Sequence, residues 1–256
     1  MLELYHWEPN ANAARVMICL AEKGLSYTSH YIDLLKLEQF SPDFLALNPF
    51  GQVPVLVHDG HALRESCVIN EYLEEAFPEI SLAQHDPLGW YNVQIWSKYI
   101  DYNLGTSIST LGWHQVMTAS IPQEVMHDLK QKVGDIPVKE RQMAWEAAVA
   151  GAAPAEQLEN SRRKVKLVLQ RMEDVLGNSD WLVGDAYSLA DIDTYAMAHT
   201  LPQLLPEVVN PETTPQTMDW LQRIGDRPAV KTVMATAKTD YSPAAYAPGP
   251  EHSRWG

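Results

Sequence analysis

NPFGQVPVLVHDGHALRES, residues 48 to 66, is the stretch whose reading decides the fold. Asn48-Pro49-Phe50-Gly51 is a turn signal, and Val55-Leu56-Val57 reads as a strand entered through Pro54, which donates no backbone hydrogen bond. Asp59-Gly60 predicts a two-residue hairpin turn, with Ala62-Leu63-Arg64 as the returning strand. At Ser66 the apolar period changes from two to that of a helix, at Val68, Ile69, Tyr72 and Leu73. An acid, Glu65, and a hydroxyl, Ser66, therefore fall at a helix N-terminus.

Local chemistry supports two readings of this stretch. In the first, Ser66 caps the helix by bonding the Val68 or Ile69 amide, Glu65 is solvated, and Pro54 marks an edge strand. In the second, a cis Val53-Pro54 bond turns the Val53 backbone outward to pair with a peptide-like ligand, and the free amides of the following helix hold that ligand's carboxylate. About 5% of X-Pro bonds are cis, so the choice depends on the rest of the chain.

The chain has 256 residues, 46% hydrophobic and 20% charged, the composition of a soluble globular protein of one large or two ordinary domains. Its formal net charge of -14 argues against nucleic acid or an anionic membrane as the main partner, since phosphate binding needs a concentrated basic surface. The N-terminus has no basic leader, and no window holds about 18 uninterrupted apolar residues. A cytoplasmic location is the expectation. Cys19 and Cys67, the two cysteines, belong to no C-x-x-C or zinc-type cluster, so buried free thiols and no metal site are expected.

Working outward toward the N-terminus, Leu2 to Tyr5 alternates as a first strand. A loop from Trp7 to Asn12 leads into a helix from Ala13 to Lys23 that stops at Gly24. Tyr27 to Ile32 gives a second strand, and Ser41-Pro42-Asp43 a cap and first turn of a short helix. With the hairpin and the helix from Ser66 to about Phe77, the order is β-α-β-α-β-β-α. The first two strands are predicted to be parallel neighbours and the last two antiparallel.

Beyond Phe77-Pro78 the strand-like alternation disappears. Asp86-Pro87 opens a segment with helical spacing that runs to about Met117. Gln157 to Leu176 carries Val165, Val168, Leu169, Met172 and Leu176 on one stripe. Ser188-Leu189-Ala190-Asp191 reads as a capping box with aspartate as its acid. Pro215 to Ile224 and Pro228 to Thr236 read as short amphipathic helices. Residues 118 to 156 read as an insertion with a helix around Gln123 to Lys132. The expected division is 1–80, 86–238 and a tail over 239–256.

This constellation resembles the soluble glutathione transferases over about residues 1 to 237: a proline-entered third strand, Glu65-Ser66 at the last helix of the first domain, and the Ser188 to Asp191 box. The resemblance implies a thioredoxin-like α/β N-terminal domain followed by an all-α C-terminal domain, with glutathione as co-substrate and a homodimeric assembly. It implies that Val53 pairs its backbone with the cysteinyl unit of glutathione, that Pro54 is cis, and that Glu65 and Ser66 hold the amine and carboxylate of the γ-glutamyl end. Gln39 and Gln52 would be side-chain contacts. Three features are most similar to the bacterial branch containing lignin β-aryl-ether-cleaving transferases: LNPFGQVPVL, the phrase Ser109 to Trp113, and the insertion ending near Ala153.

Such an enzyme must present glutathione as thiolate, because a thiol with pKa about 8.5 is mostly protonated at neutral pH. The start of the first helix contributes roughly 0.3 to 1 kcal/mol at an exposed site, at most about one pKa unit. A further donor is needed. Asn12, three residues before Arg15 as in asparagine-type bacterial transferases, is the candidate, with Asn10 the alternate; either asparagine could instead cap the helix. The loop from Trp7 to Ala14 holds no serine or cysteine, which disfavours serine-type and mixed-disulfide chemistry, and Tyr5 is read as a packing residue. For an aromatic acceptor the helical segment offers Tyr102, Trp113 and His114, although aromatic residues at helical spacing more often form core. Glutathione-dependent disulfide reduction and non-catalytic glutathione binding are the two alternative functions.

Overall fold

In the computed structural model, which describes residues 1–83, 86–151, 153–239 and 249–250, with no account of the Met117 and Thr118 side chains, four strands form one mixed sheet in the order β2-β1-β3-β4. The strands are β1 (Leu2–His6), β2 (Thr28–Tyr31), β3 (Val55–His58) and β4 (His61–Leu63). β1 pairs parallel with β2 and antiparallel with β3, and β3 pairs antiparallel with β4, as the order of the elements predicts. Asp59 and Gly60 form the β3–β4 turn with φ of 48° and 83°, the left-handed pair that this hairpin requires. Helices α1 (Ala11–Glu22), α2 (Pro42–Leu47) and α3 (Ser66–Ala76) complete the first unit.

α1 is the hub of the molecule. Every residue from Ala13 to Leu20 is buried, because the helix packs on α3 on one side and on two helices of the second unit, Leu189–Ala198 and Pro228–Met234, on the other. Alanine at 11, 13 and 14 permits that close approach. The main core runs without a break from Leu4, Val16 and Ile69 to Trp96, Ile192 and Trp220. The two units therefore share one apolar interior.

The second unit is helical throughout. After α4 (Pro87–Ile100), the expected single run to Met117 is interrupted. A π-helical turn spans Asp101–Gly105, α5 spans Thr106–Gly112, and a second π turn spans Trp113–Met117. Each π turn inserts an extra residue into the ladder and re-aims the side chains it carries. The insertion contains α6 (Gln123–Lys132), as expected, and a further helix α7 (Lys139–Val149) that turn residues on both sides obscured. α8 (Ala155–Leu176) buries Val165, Val168, Leu169, Met172 and Leu176, the predicted stripe.

The insertion folds back onto the first unit. Leu129, Val133, Trp145 and Val149 join Trp7, Leu34, Leu35, Phe40 and Trp113 in a second core cluster, and Arg141 Nε donates to the Phe50 carbonyl at 3.2 Å. α9 (Leu189–Ala198) is fixed by the capping box, in which Asp191 accepts the Ser188 amide at 3.1 Å. α10 (Pro215–Gly225) and α11 (Pro228–Met234) close the fold. Of the expected tail, only Thr239, Gly249 and Pro250 fall among the described residues.

Candidate active site

Strand register gathers the predicted residues. Tyr5 lies opposite Val55 and Leu56 opposite Leu63, so the end of β1, the entry to β3 and the exit from β4 share one edge. Parallel β2 delivers residues 32–41 to the same edge. Asn12, Gln39, Val53, Pro54, Glu65 and Ser66 all lie within about ten residues of these strand ends. A topology of three short connections brings them together.

The Val53–Pro54 bond is cis. Among the described residues the Val53 amide and carbonyl form no hydrogen bond, so an extended segment can pair there. The turn before it is stapled by Asn48, whose Nδ2 donates to the Gln52 carbonyl at 2.8 Å and whose Oδ1 accepts the Phe50 amide at 3.1 Å. Gly51 (φ +63°) is needed at this turn, since a Cβ would lie 2.4 Å from the Phe40 ring. Gln52 itself is half-buried. Gln39 is 0% exposed, and neither end of its side-chain amide has a partner among the described residues. An amide buried in that state costs a few kcal/mol.

Glu65, not Ser66, occupies the cap position of α3, with φ 68° and an exposed side chain. No side chain caps the helix, which removes the reading of Ser66 as a cap. The first amides of α3 are left for solvent or an anion. A positive φ in a residue with a side chain carries strain of about 1–3 kcal/mol. Ala11, at the start of α1, shares the feature (φ 41°).

Asn10 stands at the N-cap position of α1 in extended conformation but makes no side-chain cap bond. Its Nδ2 is buried without an acceptor among the described residues. Asn12 is the second residue of α1 and half-buried. The preceding loop is held by buried Glu8, which accepts the Tyr31 hydroxyl and the Lys238 amide, the latter at 2.8 Å. Tyr5 stacks on His30 at 4.3 Å and packs as expected.

Arg15, read in the sequence only as a spacing marker, is the electrostatic centre. Its side chain is 1% exposed, with Nη1 2.6 Å from Asp101 Oδ1, 3.2 Å from Cys67 Sγ and 3.4 Å from Ser66 Oγ. Nε donates to the Asp193 carbonyl at 3.3 Å. Asp193 is further bonded by Ser97 Oγ (2.6 Å) and Asn70 Nδ2 (3.2 Å). Burial opposes the arginine charge, but Asp101, Cys67 and Asp193 outweigh it and hold Arg15 more firmly protonated than usual. Burial pushes the Cys67 thiol well up despite Arg15, so this free, half-buried cysteine is a weak nucleophile. The spacing of Asp193 two residues after the capping acid was the available signal for this network.

The three acceptor candidates separate. Trp113 (3% exposed) packs edge-on against Trp145 at 5.1 Å. With His114 it lines a slot of about 110 Å³ together with Ser109, Thr110, Ala147 and Ala148 of α7, and Gln157. Tyr102 does not line it. The first π turn sends it outward, 51% exposed, with the Lys98 ammonium over its ring. Trp96 and Tyr99 are structural, stacked under Arg171, with Trp96 Nε1 bonded to Thr194. Among the described residues no cluster of three or more metal-ligating side chains occurs, and no helix is long and apolar enough to cross a membrane.

Comparison with known proteins identifies the family. Residues 1–75 match the glutathione S-transferase N-terminal domain and residues 134–228 the C-terminal domain. Protein LigF of Sphingobium sp. strain SYK-6 is 37% identical over 93% of this chain and 95% of its own. The crystal structure of that protein, described as a β-etherase, superposes with a TM-score of 0.84 at 36% identity, covering 92% of this chain and 99% of that one. Glutathione transferase F7 of Populus trichocarpa gives a TM-score of 0.72 at 27% identity, over 93% and 100% of the two chains. The chain belongs to the glutathione S-transferase family and is a glutathione transferase.

Proposed function

We propose that glutathione lies along the open strand ends as an added extended segment, and that its thiolate attacks an aromatic ether. The observation that carries this is the unpaired Val53 backbone beside the uncapped start of α3. The cysteinyl unit pairs with Val53 next to Pro54. Glu65 takes the γ-glutamyl ammonium, and Ser66 with the first α3 amides takes its carboxylate. Gln39 supplies a further contact, which its two unmet hydrogen-bonding atoms favour, and Gln52 flanks it.

Asn12 donates its side-chain amide to the sulfur at the positive end of α1. Asn10, with an unspent buried donor, is the second candidate. The acceptor ring enters the slot between Trp113, His114 and the alanine face of α7. Thiolate attacks the ether-bearing carbon, the carbon–oxygen bond breaks, and the aryl group leaves as phenolate, which takes a proton from water; a thioether remains. The chain's part is proximity and exclusion of water. Likeness to the β-etherase LigF supports an ether rather than a halide as electrophile. Incubation with glutathione and a β-aryl ether is expected to release phenol in step with thiol loss. Absence of both phenol release and thiol loss overturns the reading.

The assembly we propose is a homodimer through the α3–α4 face, where Val68, Leu88, Tyr91, Ile95 and Tyr102 form an exposed apolar stripe at helical spacing. A sedimentation run giving a monomer at micromolar concentration contradicts it. A cytoplasmic location, where glutathione is kept reduced, suits two cysteines that are both free.

A further inference from the structure

The slot has a hydrogen-bonding bias that the aromatic reading alone does not use. Ser109 Oγ donates to the Gly249 carbonyl at 3.0 Å, and Thr110 Oγ1 donates to the Thr106 carbonyl at 3.1 Å. Each hydroxyl has one proton, already committed, and keeps only lone pairs for a visitor. His114 Nδ1 sits 3.1 Å from the Gly151 carbonyl. A carbonyl only accepts, so Nδ1 carries a proton, and Nε2 in that tautomer is an acceptor with no donor among the described residues. The side chains of Ser109, Thr110 and His114 therefore all offer acceptors and lack a free proton. Trp113, Ala147 and Ala148 supply apolar lining beside them, and the amide of exposed Gln157 is the side chain of the lining that still carries protons to donate.

We propose that this slot selects an aryl ring bearing a free hydroxyl, a phenol in preference to its methyl ether, with His114 Nε2 accepting the phenolic proton. The inference rests on the slot's being the acceptor subsite, as proposed above. A phenol supplies the donor that these three side chains lack. At His114 Nε2 a methyl ether offers only another acceptor, so lone pair faces lone pair there. One hydrogen bond of ordinary net strength converts to roughly a threefold to tenfold preference.

The test is isothermal titration calorimetry of the full chain, without glutathione, with 4-methylphenol and with its methyl ether. The phenol is expected to bind about three- to tenfold more tightly, and His114→Phe to erase that difference while the thermal melt confirms folding. Equal binding of the two, heat from neither, or a preference that survives His114→Phe overturns the proposal. The wild-type comparison stands alone if the variant does not fold. A parallel turnover assay with glutathione and a phenolic or methylated β-aryl ether separates the two claims. Turnover without preference removes the slot selectivity and keeps the transferase reading, whereas calorimetric preference without thiol consumption does the reverse.

Discussion

Replacing Arg15 with methionine keeps an unbranched apolar stem and removes the charge that joins Asp101 and Asp193 of the second unit to the start of α3. The cost can be apportioned from the surroundings. Asp101 is 30% exposed and can turn to water, so its loss is small, but the Asp193 side chain is 3% exposed and cannot. Removing one partner of a buried ion pair costs about 3–5 kcal/mol. Since Ser97 and Asn70 still bond Asp193, the lower end applies, about 3 kcal/mol. For a chain of this size that corresponds to a fall in Tm of roughly 6–12 °C.

The same variant has a pH signature. Burial already pushes the Asp193 carboxyl up, and Arg15 holds it down. Without Arg15 it rises further and can protonate as the pH falls, which relieves the buried charge. A carboxyl whose folded pKa is raised gives stability at low pH that is lost as pH rises. The gap between Arg15→Met and wild type is therefore expected to narrow as pH falls from 8 to about 5, in chemical-denaturation curves taken at each pH. A loss at pH 7.5 below about 1 kcal/mol, or a gap constant across pH, would refute the assignment of Arg15 as the electrostatic hinge. Ser66 loses its guanidinium partner in this variant, so KM for glutathione is expected to rise with it.

Asp191→Asn turns an amide NH₂ toward either Leu182 N–H and Trp220 Nε1–H or the Ser188 amide and hydroxyl. Two stranded donors at about 1–3 kcal/mol each predict a loss of roughly 2–6 kcal/mol by denaturant titration. Burial raises the Asp191 carboxyl to about 6 from about 3.9 unfolded. Its contribution is therefore greatest below pH 4 and lost, by about 3 kcal/mol, as pH rises to 6, a slope absent from the asparagine variant. In the proposed role of Asn12, Asn12→Ala removes a hydrogen bond to a charged sulfur worth about 1.5–3 kcal/mol. The thiol pKa of bound glutathione, read from thiolate absorbance, should rise by about 1–2 units, and no change would transfer the role to Asn10. Ala148→Leu adds three carbons to a slot of about 110 Å³. KM for an aryl acceptor should rise about tenfold or more while glutathione affinity holds, and an unchanged acceptor KM would place the acceptor elsewhere.

The thioredoxin-like unit was legible because its signals are local. A proline-entered strand, an Asp-Gly hairpin and a change of period at Ser66 each constrain a few neighbouring residues, and register does the rest. The helical unit was legible in its long stripes, at Val165 to Leu176 for example, but not where the ladder gains a residue. Nothing in the composition of Asp101 to Gly105 announces a π turn, yet that turn aims Asp101 at Arg15 and Tyr102 at solvent. Tyr102 and Trp113, alike as aromatic residues on one apparent helix, consequently have opposite fates.

The insertion was the least legible segment, and it alters the site most. A reading of residues 118 to 156 by periodicity alone finds one helix and several breakers, since α7 mixes Lys139, Glu140 and Glu146 with buried Arg141 and carries an alanine face at 144, 147 and 148. That face matters only against Trp113, some thirty residues earlier in the chain. Its partner surface, Trp7, Leu34, Leu35 and Phe40, belongs to the first unit, so the insertion roofs the edge where the strands end. An open sheet edge would leave the Gln39 amide to water and require no ligand. Under the roof Gln39 is dry and unsatisfied, and a hydrogen-bonding ligand stabilises the enclosed site more than it would the exposed one. Enclosure follows from helices that the first unit's own motifs never mention, and on the proposed function it keeps the thiolate and an aryl ether together away from water.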